Sequence, residues 1–380
     1  MNNPKKILIF SHAYFPNWVG GAEIALKEIT DRISHDACEF HLITLGSTEP
    51  AFEQMGNITV HRLCIFGSFG QRGIGHKLAK YLFIPVAFFK GTQLQRKHQF
   101  DVFWALMATY GGFSALFMKL AYPKKEFVLT LQEGDPIEYI LGRLGIFKSL
   151  YRAIFSHADK VQVISSYLAQ FARDMGFRGE PIVIPNGVDI KHFSQRVEKK
   201  VVEKNEGDIV LITASRLVKK NAVGDIVAAL ALLPVNYRFL IAGTGELATS
   251  LKLKVESLKL ENRVTFLGHI SHEQLPAYLQ QSDIFIRPSL SEGLGNAFLE
   301  AMASGIPVIA TPVGGIPDFL EDGETGIFCE PNNPQTIANA VEKFSDTTIR
   351  QKVTANAKKM VEEKYGWDLI AEKMKQLFLQ

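Results

Sequence analysis

Residues Ser289 to Thr311 read SLSEGLGNAFLEAMASGIPVIAT, and they follow an apolar run that begins at Asp283 (DIFIRPS). The β-branched and aromatic residues of that run indicate a buried parallel strand, which Pro288 ends. The next residues, Glu292-Gly293-Leu294-Gly295-Asn296, form a loop with two glycines, so a ligand can approach its main chain closely. The stretch therefore predicts a strand, a ligand-accessible loop and then a helix.

The predicted helix begins with Asn296 as its N-cap and extends to about Ser304. Its first turn presents unpaired N–H groups at the positive end of the helix dipole, an arrangement that binds a diphosphate. Glu292 precedes this turn and Glu300 lies about one turn inside the helix, so the two carboxylates bracket the anion-binding turn. The alternative is that two glutamates at this spacing are ordinary exposed charges.

The pattern resembles the E-x7-E element of the retaining family 4 glycosyltransferases, which have the two-domain fold called GT-B. The resemblance implies that Glu292 binds hydroxyls of the transferred sugar and Glu300 the ribose hydroxyls of the nucleotide. A carboxylate suits both roles because it accepts two hydrogen bonds. The main chain of Gly293, Leu294, Gly295 and Asn296 would bind the donor as well.

The chain has 380 residues, a length that favours two domains over one. Its net charge of +3 does not indicate a dedicated nucleic-acid binder. The three cysteines are widely spaced and indicate a reducing compartment without a zinc site. The N-terminal apolar run is too short for a signal peptide, and no run approaches the roughly twenty apolar residues that span a bilayer. We therefore expect a cytoplasmic protein.

Apolar strand-like runs alternate with helical segments in both halves of the chain, which favours doubly wound parallel sheets. With the resemblance, the expectation is an α/β fold of the GT-B type, with two Rossmann-like domains facing a central cleft. Residues 1–189 form the predicted acceptor domain and residues 190–365 the nucleotide-sugar domain. A final helix at about 366–380 is expected to pack back on the first domain.

The loop after the first strand carries Gly20-Gly21 before a helix. In the resembled family this loop faces the donor diphosphate and the acceptor, although any α/β protein can have a glycine-rich turn here. The stretch FVLTLQEGDP places Gln132 where the family often has a histidine, and Trp104 occupies another such position. Gln132, Glu133 and Asp135 are the candidate acceptor contacts.

In the second half, the strand from Ile209 to Ala214 leads to Ser215-Arg216-Leu217-Val218-Lys219-Lys220. The family has an arginine here and a lysine five residues later, and both bind the donor diphosphate. Arg216 fits this pattern, but the fifth residue after it is Asn221, so either Lys220 or Asn221 could fill the second position. These cations would offset the charge that builds on the phosphate as the glycosidic bond breaks.

Two further segments follow the order of the family motifs. Gly243 and Gly245 form a second glycine-rich turn between a strand and a helix and are candidate donor-binding residues. By the resemblance, main-chain groups near His269 and Ile270 would bind the base. The imidazoles of His269 and His272 are expected to be loop or cap residues.

Two runs mix aromatic, aliphatic and basic residues, namely His76 to Gln99 and Tyr139 to Phe155. Between Val60 and Lys125 the chain has ten Lys and Arg but a single acid, Asp101. Such runs suit helices that lie on an anionic membrane, and the alternative is amphipathic helices whose basic residues face water. The hypothesis is peripheral contact with the inner face of the cell membrane and a lipid-linked acceptor.

The sequence thus predicts a retaining hexosyltransferase that uses a UDP- or GDP-sugar in polysaccharide or lipopolysaccharide synthesis. Glu292, Arg216 and Lys220 are its candidate catalytic residues, and no metal or further cofactor is expected, since no Asp-x-Asp element is present. A sugar-nucleotide epimerase of the same fold and a non-catalytic nucleotide-sugar-binding protein are the alternatives. A hydride-transferring enzyme is disfavoured because no G-x-G-x-x-G follows the first strand.

Overall fold

The computed structural model describes residues 3–46, 50–65 and 74–380, with only the backbone at 74–77. The described chain divides into two compact units. The first contains the chain up to Glu133, Ile137–Asn186 and Trp367–Gln380. The second contains Gly134–Pro136 and Gly187–Gly366.

The first unit is an α/β unit in which strands and helices alternate. Its strands are β1 (Lys5–Phe10), β2 (Cys38–Leu45), β3 (Phe52–Met55), β4 (Ile58–Leu63), β5 (Val102–Leu106), β6 (Glu126–Leu131), β7 (Lys160–Val163) and β8 (Ile182–Val183). Its first six helices are α1 (Gly21–Arg32), α2 (Ile74–His98), α3 (Gly111–Ala121), α4 (Ile137–Leu144), α5 (Lys148–His157) and α6 (Ser166–Asp174).

The second unit repeats this alternation. Its strands are β9 (Ile209–Ala214), β10 (Tyr237–Ala242), β11 (Val264–Gly268), β12 (Ile284–Arg287), β13 (Val308–Ala310) and β14 (Ile327–Phe328). Its helices are α7 (Ile190–Ser194), α8 (Val223–Leu230), α9 (Ala248–Ser257), α10 (Leu275–Gln280), α11 (Asn296–Ala303), α12 (Pro334–Lys343) and α13 (Thr347–Lys364). The last helix, α14 (Trp367–Leu379), belongs to the first unit.

The sheet of the first unit has the strand order β3-β4-β2-β1-β5-β6-β7-β8. All neighbours pair in parallel except β3, which runs antiparallel to β4 at the edge. The predicted doubly wound parallel sheet is therefore present, with one antiparallel strand added at its edge. The exposed side chain of Phe52 shows why the sequence pattern missed β3, because an edge strand needs no continuous apolar run.

The helix α14 packs on the first unit through one apolar face. Trp367, Ile370, Met374 and Phe378 are buried in the same core as residues of β1, β2 and α1. The Phe378 ring lies 4.9 Å from the Trp104 ring, between centroids. This core therefore includes residues from both ends of the chain.

The sheet of the second unit has the order β11-β10-β9-β12-β13-β14, with parallel pairs throughout. The chain proceeds from β9 to β10 and β11 on one side and then crosses to β12 on the other. The carboxyl ends of β9 and β12 thus flank a topological switch point, where ligands bind in open α/β sheets. In the part of the chain that the structure describes, no helix is long and apolar enough to cross a membrane.

Candidate functional site

The loop after β12 turns into α11 through a glycine with a left-handed backbone. Gly295 has a φ of 92° and is the N-cap, while Asn296 is the first helical residue. The prediction that Asn296 caps the helix is therefore wrong by one position. The left-handed conformation is accessible to glycine at no steric cost, so the chain turns at Gly295. The main chain that follows forms the first turn of α11, at the positive end of the helix dipole.

Glu292 lies in this loop with its carboxylate largely buried. Its side chain is 11% exposed, and Arg287 at the end of β12 donates a hydrogen bond to Oε2. The main-chain N–H of Gly293 donates to Oε1 at 3.3 Å. The carboxylate is therefore held in a fixed orientation at the carboxyl end of the sheet.

Arg287 itself is enclosed by the protein. Its side chain is 9% exposed, its Nε donates to Ser289 Oγ at 3.1 Å, and its guanidinium lies 4.7 Å from the centre of the Phe298 ring. Burial lowers its pKa to about 10, opposed by the charge of Glu300 and assisted by that of Arg216. Arg287 stays positive at neutral pH, so its charge compensates the negative charge of the Glu292 carboxylate.

Sequence reasoning missed Arg287, although one signal was present. A charged residue ends the otherwise apolar strand Ile284–Arg287 directly before Pro288. A buried arginine needs a carboxylate partner, and Glu292 is the next acid along the chain.

Lys220 lies in a 3-10 turn, Lys219–Asn221, that follows β9. Its ammonium donates to the carbonyl oxygen of Gly134 at 2.7 Å and lies 3.1 Å from Asp135 Oδ1. Burial lowers its pKa, Asp135 opposes that shift, and the positive charges of Arg216 and Arg287 add to it. A Cβ at Gly134 would lie 3.2 Å from Lys220 Nζ and 3.4 Å from Glu292 Oε1, so both side chains border this glycine.

Asn221 points away from this group. Its side chain is buried and donates to the carbonyl oxygen of Arg216 at 2.7 Å, so it stabilises the turn. Of the two candidates for the second cationic position, only Lys220 has a side chain that borders Gly134 together with the Glu292 carboxylate. The exposed Arg216 contributes a third positive charge, since it acts on both Lys220 and Arg287.

Glu300 lies on α11 and contacts a different set of residues. Its Oε1 is 3.4 Å from His272 Nε2, and its side chain is 14% exposed. The His272 ring stacks on His192 at 5.6 Å between centroids, and His192 Nε2 lies 3.1 Å from the carbonyl oxygen of His272. The exposed His269 and the half-buried Ile270 lie in the loop between β11 and α10, on the same chain segment as His272.

The glycines after β10 are required by main-chain packing. A Cβ at Gly243, which has a φ of 143°, would lie 1.9 Å from the carbonyl oxygen of Ser215. A Cβ at Gly245 would lie 2.3 Å from the carbonyl oxygen of Leu217. These two glycines therefore let the β10 turn lie directly against the loop that carries Arg216.

The remaining candidates divide between the two units. Gly20 is the N-cap of α1 and Gly21 its first residue, both in the first unit. Gln132 Oε1 accepts from Asn186 Nδ2 at 3.0 Å, and the buried Glu133 accepts from the main-chain N–H of Ala108 at 3.0 Å. Asp135 belongs to the second unit.

Trp104 is a core residue of the first unit. It is 1% exposed, and its indole N–H donates to Thr130 Oγ1 at 2.8 Å. Trp104 is therefore a packing residue in the structure.

The arrangement in the second unit is suited to binding a doubly charged anion. The charges of Arg216 and Arg287 act on Lys220, and the charge of Arg216 acts on Arg287. The first turn of α11 directly follows the loop that holds Glu292. Anions are stabilised by such cations and by the N-terminus of a helix. The fixed carboxylate of Glu292 can accept hydrogen bonds from a polyhydroxylated ligand beside that anion.

Two protein families match consecutive parts of the chain. The model for "Glycosyltransferase Family 4" matches residues 19–192, and the model for "Glycosyl transferases group 1" matches residues 194–360. Only residue 193 separates the two matches.

Three curated relatives extend over most of the chain. An uncharacterized glycosyltransferase of Methanocaldococcus jannaschii is 25% identical over 97% of this chain and 96% of its own length. N-acetyl-alpha-D-glucosaminyl L-malate synthase of Bacillus anthracis is 26% identical, with 95% and 94% covered. GDP-mannose-dependent alpha-(1-6)-phosphatidylinositol monomannoside mannosyltransferase of Mycobacterium tuberculosis is 26% identical, with 80% and 82% covered.

Solved structures share the fold. Sucrose-phosphate synthase of Thermosynechococcus elongatus superposes with a TM-score of 0.84 at 21% identity, covering 99% of this chain and 98% of that one. Anabaena HepE in complex with UDP-glucose gives a TM-score of 0.71 at 20% identity, with 98% of each chain covered. The predicted fold class, GT-B, is confirmed.

Proposed function

Because the chain belongs to the group 1, family 4 glycosyltransferases, we propose that it transfers a hexose from a UDP- or GDP-sugar with retention at the anomeric carbon. The acceptor in this proposal is a glycan or a lipid-linked saccharide used in cell-surface polysaccharide synthesis. The observation that carries the proposal is the fixed carboxylate of Glu292 beside three cations at the carboxyl ends of β9 and β12.

In this proposal the donor diphosphate binds where the positive charges converge. Arg216 is exposed, so its planar fork is accessible to phosphate oxygens. Lys220 and the main chain of Gly293, Leu294, Gly295 and Asn296 bind the same diphosphate, with Gly243 and Gly245 supporting the Arg216 loop. HepE, which shares the fold, is described with UDP-glucose, and this supports a nucleotide sugar as the ligand.

The two carboxylates bind the two ends of the donor. Glu292 accepts hydrogen bonds from hexose hydroxyls, because Arg287 and Gly293 already orient it. Glu300 accepts from the ribose hydroxyls, and the main chain around His269 and Ile270 binds the base. Gly20 and Gly21 of the first unit are proposed to contact the diphosphate as well.

The transfer step is a displacement on one face of the sugar. The bond between the anomeric carbon and the phosphate oxygen breaks, and its electron pair goes to that oxygen. The acceptor hydroxyl oxygen bonds to the same carbon, and its proton goes to the leaving phosphate oxygen. Arg216, Lys220 and the helix N-terminus stabilise the charge that develops there, so these groups act on the transition state.

The salt bridge between Lys220 and Asp135 adds a condition to donor binding. The Asp135 carboxylate and the Gly134 carbonyl oxygen occupy the ammonium in the described structure. A diphosphate that binds Lys220 competes with Asp135 for the ammonium. Asp135, with Gln132 and Glu133, is then the proposed group of acceptor contacts on this segment.

A panel of nucleotides tests the donor class. Thermal unfolding with UDP, GDP, UDP-glucose and GDP-mannose should show a higher Tm with one nucleobase, because a ligand that binds the folded state stabilises it. The Arg216→Ala variant should lose most of that shift. No shift with any member of the panel would contradict the proposal.

Product analysis separates the alternatives. Incubation with the stabilising donor and a lipid-linked saccharide should yield a product with the donor's anomeric configuration. Interconverted nucleotide sugars in the absence of acceptor would instead identify an epimerase. Binding without turnover would identify a non-catalytic nucleotide-sugar-binding protein.

A further inference from the structure

A cluster of histidines lies in the first unit, on the face of the sheet covered by the end of α2. Glu39 and His41 alternate along β2 and therefore point to the same face. His61 on β4 pairs with Ile43, the next residue on that face of β2. His98, the last residue of α2, lies over the same face, with its ring 4.5 Å from that of His41 between centroids.

The side chains of this cluster form a chain of close polar contacts. His41 Nε2 lies 2.9 Å from Glu39 Oε1, and His41 Nδ1 lies 3.0 Å from His61 Nε2. The His41 and His61 rings stack with an interplanar angle of 14°. His41 is thus held from both of its ring nitrogens.

One carboxylate oxygen and two imidazole nitrogens converge in this cluster. The ligand atoms of Glu39, His41 and His98 all lie within 4.8 Å of one another. In a tetrahedral zinc site with bonds of about 2.1 Å, neighbouring ligand atoms are about 3.4 Å apart. Small rotations of the Glu39 and His98 side chains therefore bring the three atoms to coordination distance.

We propose that Glu39, His41 and His98 form a binding site for Zn²⁺ or a similar divalent transition metal, which ties the end of α2 to β2. Two imidazoles and one carboxylate are the ligand set of many zinc sites, with water as the fourth ligand. Glu39 and His98 are half-buried, so the fourth position is open to solvent. The site is separate from the residues proposed to bind the donor, which lie in the second unit or at Gly20 and Gly21.

His61 supplies the outer contact that such a site requires. A metal-binding imidazole donates its other N–H to an acceptor, which fixes its tautomer and orientation. Nε2 of His61 lies 3.0 Å from His41 Nδ1, so a neutral His61 with its proton on Nδ1 accepts the N–H of His41 while Nε2 of His41 binds the metal.

Lys6 opposes the metal and gives the proposal a direct test. Its ammonium lies 3.9 Å from Glu39 Oε2 and donates to the carbonyl oxygen of His98 at 3.4 Å. A cation between Glu39 and His98 repels that ammonium, so Lys6 must move when the metal binds. Removing its charge should tighten binding.

The test uses the untagged full-length chain after removal of metals with EDTA. Isothermal titration with ZnCl2 should show one Zn²⁺ per chain, and Co²⁺ should give the visible absorption of a four-coordinate site. His98→Gln and Glu39→Gln should each weaken binding by more than about tenfold. Lys6→Met should bind Zn²⁺ several-fold more tightly than the native chain.

A matched control is the exposed His157 at the end of α5 in the same unit. His157→Gln should bind Zn²⁺ like the native chain, and circular dichroism should show the native fold in every variant. Binding by His98→Gln equal to that of the native chain would overturn the site, as would weaker binding after Lys6→Met. Loss of the nucleotide response in these variants is not expected, so this test is independent of the proposed transfer reaction.

Discussion

Arg287 lies in the interior of the second unit, and its charge is compensated by Glu292. Removing one partner of a buried ion pair leaves the other charge uncompensated, which costs several kcal/mol. Glu292→Ala would therefore combine a loss of function with a loss of stability. Glu292→Gln keeps an oxygen that accepts from Arg287 and is the better test of function.

We predict that Glu292→Gln lowers kcat by two orders of magnitude or more while the chain stays folded, because the neutral amide binds the sugar hydroxyls less strongly in the transition state. Steady-state kinetics with the donor identified by thermal unfolding, and circular dichroism, measure the two effects. A rate close to that of the native enzyme would remove Glu292 from the proposed mechanism.

Arg216 allows a sharper comparison because it is exposed and adjacent to another exposed cation. Arg216→Ala should reduce kcat/KM by about 100-fold or more, since it removes a cation from the leaving phosphate. Lys219→Ala also removes one exposed positive charge, three residues after Arg216, and should leave the rate nearly unchanged. Equal losses in the two variants would indicate a general charge effect and not a specific contact.

Lys220 and Asn221 should separate into a binding residue and a structural residue. Lys220→Met should abolish most of the nucleotide-induced shift in Tm, because its ammonium borders Glu292. Asn221→Ala should lower the free energy of unfolding by about 1 kcal/mol, since it removes a hydrogen bond to Arg216, and should keep measurable binding. Chemical unfolding and the nucleotide panel measure both; the opposite pattern would mean that Asn221 contacts the diphosphate.

At the scale of elements, the turn after β10 is packed against the loop after β9 through glycines. Gly243→Ala would place a methyl group 1.9 Å from the carbonyl oxygen of Ser215, in a backbone conformation that alanine rarely adopts. We predict a loss of about 3 kcal/mol or more in the free energy of unfolding. Donor binding should weaken too, because the displaced loop carries Arg216.

The control for that prediction is Gly224 in α8, where an added Cβ meets no atom closer than 3.5 Å. Gly224→Ala should be neutral or stabilising, since alanine favours a helix. Urea unfolding of both variants should be followed by circular dichroism. Tryptophan fluorescence would report on the first unit only, because Trp18, Trp104 and Trp367 all lie there, whereas Gly224 and Gly243 lie in the second unit. A stability of Gly243→Ala equal to that of Gly224→Ala would contradict the packing argument.

At the scale of the whole molecule, the first unit presents an apolar and basic surface. The helix α4 has no buried residue, and Ile146, Phe147 and Tyr139 are 90%, 57% and 54% exposed. Arg143, Lys148 and Arg152 lie on the same segment. The other predicted run, His76 to Gln99, falls on α2 and exposes Tyr81 and Phe89. Of the ten cations between Val60 and Lys125, Arg72 lies outside the described residues, as does the side chain of Lys77.

We predict that the protein co-sediments with vesicles of anionic phospholipid at low salt and is released at high salt, because apolar insertion and charge attraction act together. Ile146→Ser with Phe147→Ser should reduce the bound fraction severalfold. Val235→Ser changes a residue of the second unit that is 82% exposed and should have no effect. Equal binding by all three proteins would show that this surface does not contact the membrane.

Local sequence patterns predicted most elements close to their observed bounds. The strand predicted at Ile209–Ala214 is β9, and the helix expected at about 366–380 is α14, Trp367–Leu379. These features depend on neighbours within a few residues, so they can be inferred from periodicity and capping chemistry. The edge strand β3 and the one-residue shift of the α11 cap depend on pairing and backbone conformation, and the sequence pattern missed both.

The family and the fold class followed from the sequence, because motifs such as Glu292 with Glu300 and Arg216 are local and ordered along the chain. Three features required the folded chain: the pairing of Arg287 with Glu292, the contact of the Lys220 ammonium with Gly134 and Asp135, and the meeting of Glu39, His41 and His98. The sheet register and the crossover helices determine which residues distant in sequence come into contact. Local periodicity does not predict those contacts. The same reason applies to Gly243 and Gly245, because only the folded chain shows that a Cβ at either position would overlap the main chain of Ser215 or Leu217.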